Sequence, residues 1–331
     1  MQTGQHHDVI VIGASMGGIQ ALKALAAQLP AGLPASVLVV QHTSSESPRL
    51  LGDILDREGP LPAAIAEDRT PLERGRIYVA PPDHHLLLTE DGIRLLFGPR
   101  ENRSRPAVDP LFRTAAVSHR SRVIGVVLTG LLGDGASGLL AVHRCGGIAV
   151  VQDPEDAAYP DMPTRALAAV PAAHRVELAE MGPFLARLVA EPAPPPPPVP
   201  AALRLEARLT EQAMSNPNWH ELPSHATDFT CPECHGAIHE IEGEPLRRYR
   251  CRVGHAFSAD TLMGAKTQQV EEALWLALQT LQERAQMLEG LAQEERVRGR
   301  TRSDYEDKGR EARAVVERLR ELIGAVSVPH E

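Results

Sequence analysis

Ser15 sits between two glycines in Gly13-Ala14-Ser15-Met16-Gly17, a G-x-S-x-G pattern that follows the apolar run Val9–Ile12. A serine hydroxyl is a nucleophile only when a neighbouring base takes its proton, so this pattern calls for a histidine and a group to orient it. Two further apolar runs end in such residues. Val37–Val40 leads into Gln41-His42, and Val123–Leu128 leads into Thr129-Gly130-Leu131-Leu132-Gly133-Asp134-Gly135. In open α/β sheets the carboxyl ends of the strands are where ligand sites form. In this reading Ser15 attacks a carbonyl carbon, His42 takes the proton and returns it to the leaving group, and Asp134 fixes the imidazole tautomer. The backbone N–H groups of Met16 and Leu131 are the candidate oxyanion donors. Each piece alone also has a plainer reading: a phosphate or dinucleotide loop, a tight turn with an incidental serine, a structural histidine, an Asp-Gly turn. GASMGG gives no G-x-G-x-x-G, and Gln41-His42 stand where a dinucleotide-binding acid would end the second strand, which disfavours the dinucleotide alternative.

The elements that position these residues follow from the patterning. Apolar runs at Val9–Ile12, Val37–Gln41, Ile77–Ala80, Val123–Leu128 and Ile148–Gln152 alternate with helical patterns at Gly17–Gln28, Pro48–Arg57, Pro110–Ser118 and Ala136–Arg144. That alternation predicts an α/β fold, a doubly wound mostly parallel sheet with helices on both faces. Leu86–Thr89 and Ile93–Phe97, joined by Glu90-Asp91-Gly92, predict a hairpin.

The chain order Ser…His…Asp differs from the Ser…Asp/Glu…His order of ordinary α/β-hydrolases. The segments VIGASMGGIQAL (Val11–Leu22), VVQHT (Val39–Thr43), RIYVAPPDHHLLL (Arg76–Leu88), RPAVDPLFRTAA (Arg105–Ala116), VVLTGLLGDGASGL (Val126–Leu139) and VVQDPEDAAYPDMP (Val150–Pro163) are collinear. On them the chain resembles the CheB-type methylesterase domain of the chemotaxis protein-glutamate methylesterases. The resemblance implies hydrolysis of glutamate methyl esters, and deamidation of glutamines, on the cytoplasmic helices of methyl-accepting chemoreceptors. It carries the family's catalytic serine, histidine and aspartate onto Ser15, His42 and Asp134, and implies no cofactor for catalysis. Arg105, Asp109 and Arg113 lie in a matched segment and are candidates for receptor binding or for structural ion pairs. Met16 stands where the family usually has threonine, and Leu131-Leu132-Gly133 where Met-Gly-Asn is common. The motif begins within a dozen residues of Met1, so a receiver-less form is expected, without phosphorylation control in cis.

Bulk properties fit a cytoplasmic enzyme. The 331 residues suit one sizeable domain and a smaller one, and a net charge of −9 gives no general attraction to nucleic acid or anionic membrane. Apolar runs fall short of the ~20 residues of a membrane span, and the start lacks a signal-peptide layout.

The proline stretch Glu191–Pro200 cannot enter a helix interior or a sheet and marks a boundary. It places a linker (191–203) between a catalytic domain (1–190) and the C-terminal region. Beyond it, Cys231, Cys234, Cys251 and His255 form C-x₂-C-x₁₆-C-x₃-H, a donor set for a structural zinc in a ribbon-like module (226–260). A reduced-thiol turn and a redox pair are the alternatives. Val270, Leu274, Leu278, Leu281, Ala285, Leu288 and Leu291 form one helical stripe. Val315, Val316, Leu319, Leu322 and Ile323 form a second after the charged stretch Glu294–Arg313, so a helical hairpin (261–326) is expected, with Trp275 in its core. This tail is a candidate docking surface for other chemosensory proteins. Hydrolysis of another ester or amide, and an adaptor with a vestigial triad, are the competing functional readings.

Overall fold

The computed structural model of the chain describes residues 6–215, 217–243, 245–298 and 304–326. The first residues of the expected catalytic domain and the middle of the Glu294–Arg313 stretch lie outside the described residues. The chain divides into two compact units, residues 1–262 and 263–331.

In chain order the first unit forms β1 (Val9–Ala14), α1 (Gly18–Gln28), β2 (Ser36–Gln41), α2 (Leu51–Glu58), β3 (Ala63–Ile65), β4 (Ile77–Val79), β5 (His85–Thr89), β6 (Gly92–Leu96), α3 (Val108–His119), β7 (Val123–Val127), α4 (Ala136–Arg144), β8 (Ile148–Gln152), α5 (Asp161–Ala169), β9 (His174–Val176) and α6 (Leu178–Ala190). Seven strands build one sheet in the order β3-β4-β2-β1-β7-β8-β9, and every pairing is parallel. Its strands are apolar on both faces because both are covered. Val9 and Val11 of β1, with Leu38 and Val40 of β2, pack against α3, α4 and α5. Ile10 and Ile12, with Val37 and Val39, pack against α1, α2 and α6. The five apolar runs of the sequence are β1, β2, β4, β7 and β8. The edge strands β3 and β9 have three residues each, too short to show a period. β5 and β6 are the expected hairpin, turning at Gly92, whose φ is 117°.

The helix α3 begins at Val108, two residues before the sequence pattern suggests, with Asp109 and Pro110 in its first turn. Proline there removes no intrahelical bond. The early start brings the first N–H groups of the helix to the end of β7.

After the proline stretch comes α7 (Ala201–Glu211), followed by β10 (Ser224–Thr230), β11 (Ala237–Ile241), β12 (Arg248–Cys251) and β13 (Ala256–Ser258), a four-stranded antiparallel sheet. A buried ionic cluster joins these elements to the large domain. Glu206 of α7 accepts two bonds from Arg248 and one from Arg250, at 2.8–2.9 Å, and Arg113 of α3 reaches Glu101 at 2.8 Å and Glu206 at 3.4 Å.

Most of the second unit is two helices, α8 (Ala259–Val297, beginning in the first unit) and α9 (Asp304–Val326). Leu274, Leu278 and Leu281 of α8 meet Val316, Leu319 and Ile323 of α9. Val270, Leu291, Val315 and Leu322, read as stripe members, are instead exposed, and so is Trp275. The contact line is narrower than the pattern: 316, 319 and 323 follow one seam at three- and four-residue steps, and 315 and 322 fall one residue outside it.

Candidate active site

Ser15 leaves the end of β1, His42 the end of β2, and Asp134 the loop after β7, at the carboxyl edge of three adjacent strands. The sheet order reverses at this point: from β1 the chain goes to β2 on one side, and only later to β7 on the other. The left-handed backbone of the first turn falls on Gly17 (φ 76°), two residues past the serine, and not on Ser15 itself. At Gly13 a Cβ would lie 2.3 Å from Cγ1 of Val108, so only glycine lets α3 come this close to β1.

The three side chains meet. His42 Nε2 lies 2.7 Å from Asp134 Oδ2, and His42 Nδ1 lies 3.1 Å from Ser15 Oγ. An ionised carboxylate only accepts, so Nε2 carries the proton and Nδ1 turns its lone pair to the serine hydroxyl. Asp134 is 2% exposed and yet richly partnered. Its Oδ2 also accepts the Val108 N–H at 2.6 Å, and its Oδ1 accepts the N–H of Asp109 at 3.2 Å, the N–H of Gly135 at 3.0 Å and Asn102 Nδ2 at 2.9 Å. Val108 and Asp109 open α3, so the early start of that helix aims two unused N–H groups, and its positive end, at the carboxylate. Burial alone would raise the Asp134 carboxyl. The bond and charge of His42, with the N–H of Val108 and Asn102, outweigh it and hold the group below the usual carboxylate range. Asp109 behaves oppositely: burial and the Asp134 charge push it up to about 7.

Met16 and Leu131 flank the serine with exposed side chains, and among the described residues their N–H groups donate to no protein acceptor. Ser15, His42, Asp134, Leu131, Leu132, Asn102, Arg103, Ser104 and Thr261 line a cleft of about 260 Å³. Two supporting residues lie inside the matched segments without having been read as site residues. Gln41 Nε2 donates to the carbonyls of Ser15 at 2.8 Å and His42 at 3.0 Å, and the Thr129 carbonyl accepts the Ser15 N–H at 3.0 Å. Asp109 and Arg113 are buried structural partners, which removes them as receptor-binding groups, and Arg105 pairs with Asp83 at 2.6 Å. Position beside a matched segment was the only signal that could have pointed to Asn102.

The second cluster of chemistry lies in the antiparallel sheet. Cys231 and Cys234 sit in the turn between β10 and β11, Cys251 ends β12, and His255 lies just before β13. Their four donor atoms lie within 4.8 Å of one another. Among the pairs, Cys251 Sγ lies 3.5 Å from His255 Nδ1, Cys231 Sγ 3.7 Å from His255 Nδ1, and Cys234 Sγ 3.7 Å from Cys251 Sγ. A tetrahedral zinc with Zn–S bonds of about 2.3 Å has ligand edges of about 3.8 Å, so the donor set and its size fit that ion.

Residues 10–185 match the family model described as CheB methylesterase. A putative protein-glutamate methylesterase/protein-glutamine glutaminase of Leptospira interrogans is 37% identical over 184 residues, covering 55% of this chain and 95% of that protein. Protein-glutamate methylesterase/protein-glutamine glutaminase 3 of Anaeromyxobacter dehalogenans is 40% identical over 163 residues, and the match spans 48% of its length. Among solved structures, the Thermotoga maritima CheB methylesterase catalytic domain superposes with a TM-score of 0.53 at 32% identity, covering 55% of this chain and 98% of that one.

Proposed function

The chain belongs to the CheB methylesterase family, and from that premise we propose that it hydrolyses methyl esters of glutamate side chains on chemoreceptor cytoplasmic helices, and deamidates glutamines there. The observation that carries this reading is His42 held between Ser15 Oγ at 3.1 Å and Asp134 Oδ2 at 2.7 Å. Ser15 Oγ attacks the ester carbonyl carbon as its proton passes to His42 Nδ1. Asp134, ionised and buried, stabilises the imidazolium. The oxyanion of the tetrahedral intermediate forms beside the free N–H groups of Met16 and Leu131, where losing one donor typically costs about 10²–10³ in rate. Collapse expels the methoxy group, protonated by His42 as methanol. A water then attacks the acyl-serine with the same base, releasing the glutamate carboxylate.

The Cys231, Cys234, Cys251 and His255 cluster supports a structural zinc, since four protein ligands leave no open coordination position for chemistry. Its small apolar core, formed by Ile238, Tyr249, Phe257 and Leu262, is too little to hold a ribbon alone. Metal binding supplies folding energy on the order of 10 kcal/mol in such modules. The reading includes a cytoplasmic enzyme whose ribbon and helices form separate modules of the tail.

The test is methanol release from methylated chemoreceptor cytoplasmic domains by wild type, Ser15→Ala and His42→Ala. Turnover in the wild type that collapses in both variants supports the assignment. Wild-type turnover that survives in Ser15→Ala removes the serine mechanism, and labelling of Ser15 by a serine-reactive probe without methanol release points to a different ester.

A further inference from the structure

Asn102 uses every polar atom of its amide, and it uses them on two different parts of the chain. Its Nδ2 donates one hydrogen to Asp134 Oδ1 at 2.9 Å and the other to Asp109 Oδ2 at 3.0 Å. Its Oδ1 accepts the Ser258 N–H at 2.8 Å, and its own backbone N–H donates to the Ala256 carbonyl at 2.8 Å. Ser258 and Ala256 are the two ends of β13, the strand that leaves the ligand cluster at His255. One side chain, 6% exposed, therefore sits between the catalytic carboxylate and the ribbon.

The loop that carries Asn102 depends on outside support. Asn102 and Arg103 have φ of 49° and 65°, left-handed values that asparagine tolerates better than most residues and that cost Arg103 free energy its surroundings must offset. Supports come from both sides: Glu101, the preceding residue, accepts from Arg113 of α3 at 2.8 Å and from Arg250 of β12 at 3.3 Å, and the Ala256 N–H donates to the Arg100 carbonyl at 3.3 Å. The amide also separates two buried acids. Without its two N–H groups, Asp109 and Asp134 would keep the Gly135 N–H that both share, at 3.1 and 3.0 Å, but lose the amide that donates to each, which disfavours the ionised Asp134 that His42 requires.

We propose that Asn102 is a positioning residue for the triad, and that the Cys231/Cys234/Cys251/His255 ribbon is what fixes it, so that hydrolysis at Ser15 depends on a metal that never meets the substrate. The rate part of this inference rests on the esterase reading; the link from ribbon to His42 does not. With the four ligands bound, the turn at His255 is pinned and β13 presents its N–H and C=O to Asn102. Without metal the turn loses its cross-link, Asn102 loses its two partners on β13, and the Asp134 carboxylate loses a donor. An Asp134 with fewer donors is a stronger acceptor for the His42 Nε2 proton it holds at 2.7 Å, so the NMR resonance of that proton moves downfield.

The experiment uses the full chain loaded with one zinc, the same chain stripped by a chelator, and the variants Asn102→Leu, Cys234→Ser and the two combined. Two quantities are read: kcat and KM for methanol release, and the resonance of the His42 Nε2–H proton shared with Asp134, by NMR of histidine-labelled protein, which needs no substrate. Asn102→Leu is expected to lower kcat about 10- to 100-fold with little change in KM, as loss of one hydrogen bond to a buried charge does. The stripped protein and Cys234→Ser should fall to the same level. The double variant should lose no more than Asn102→Leu alone, because both act through one bond. In each case the His42 Nε2–H resonance should move downfield, with circular dichroism showing the parallel sheet intact. Should Asn102→Leu fail to fold, Ser258→Pro deletes the N–H that Asn102 Oδ1 accepts while leaving the ligands and the amide in place, and it should give the same shift with zinc still bound. A stripped, folded chain with the wild-type His42 Nε2–H resonance and kcat overturns the proposal, and so do losses that multiply in the double variant. A folded, zinc-loaded wild type that releases no methanol defeats the esterase reading instead, and the His42 Nε2–H resonance still decides the link.

Discussion

Val108 stands 2.3 Å from where a Cβ on Gly13 would be, and the same residue donates its N–H to Asp134 at 2.6 Å. Gly13→Ala must therefore push the start of α3 away from the carboxylate. The expected outcome is a loss of about 1–3 kcal/mol in urea unfolding, the range for overpacking, with kcat falling more than KM rises. Val108→Ala in the same chain should recover part of both, and no recovery would mean that the clash is taken up elsewhere. Asp109 gives a pH signature. Its carboxyl is pushed up to about 7 in the folded chain, above its ordinary value of 3.8, so the native state holds an extra proton between those values. Its contribution to stability is full below about pH 4 and is lost as pH rises towards 7. Asp134, held below its ordinary value, acts the other way and loses its contribution only as pH falls through the acid range. Urea midpoints from pH 4.5 to 7.5 should show the Asp109 slope, and Asp109→Asn should flatten it.

Among the elements, α7 comes directly after the proline stretch and supplies Glu206, the acceptor that Arg113, Arg248 and Arg250 share in the buried cluster. Burial would raise this carboxyl, and the three guanidinium charges hold it well below the ordinary range. Breaking one partner of a buried ion cluster leaves charge uncompensated, so Glu206→Gln should cost about 3–5 kcal/mol. A cost near that of an exposed pair, below about 1 kcal/mol, would show that the cluster does not hold the ribbon. Within the helical unit, Ile323 lies in the seam between α8 and α9 while Trp275 is 52% exposed. Ile323→Ala should destabilise that unit by about 2–5 kcal/mol. Trp275→Ala should stay within about 0.5 kcal/mol, as surface changes do. Helix melting monitored by circular dichroism separates the two.

At the scale of the molecule, the parallel sheet and the ribbon are stabilised by different means. The sheet buries two apolar layers, one on each face. The antiparallel sheet β10–β13 rests on a small core and an ionic cluster, and it gathers three cysteines and a histidine whose donor atoms lie within 4.8 Å of one another. Stripping the metal should release one zinc per chain and expose the amides of β10–β13 to hydrogen exchange while those of β1, β2 and β7 stay protected. Equal protection with and without metal would show that the ligand set is not structural. Among the described residues no helix is long and apolar enough to cross a membrane.

The sequence by itself determined the parallel core and the three residues at its edge. Doubly covered strands must be apolar throughout, and their ends must carry the polar groups, so Ser15, His42 and Asp134 are visible where the runs of β1, β2 and β7 stop. The ligand spacing of Cys231, Cys234, Cys251 and His255 is equally local and equally legible. Only the tertiary structure decided how distant segments support these groups. Asn102 lies in a loop without a periodic pattern, and its partners Asp134 and Ser258 are 32 and 156 residues away in the chain. Glu206, in a short helix beyond a proline stretch, reads as a solvent-facing acid until three arginines from two other elements close on it. Trp275 is apolar and lies beside a stripe, yet the seam passes it by. In each case the deciding energy is a hydrogen bond, an ion pair or a packing contact between residues far apart in sequence, and neither composition nor periodicity encodes which of them will meet.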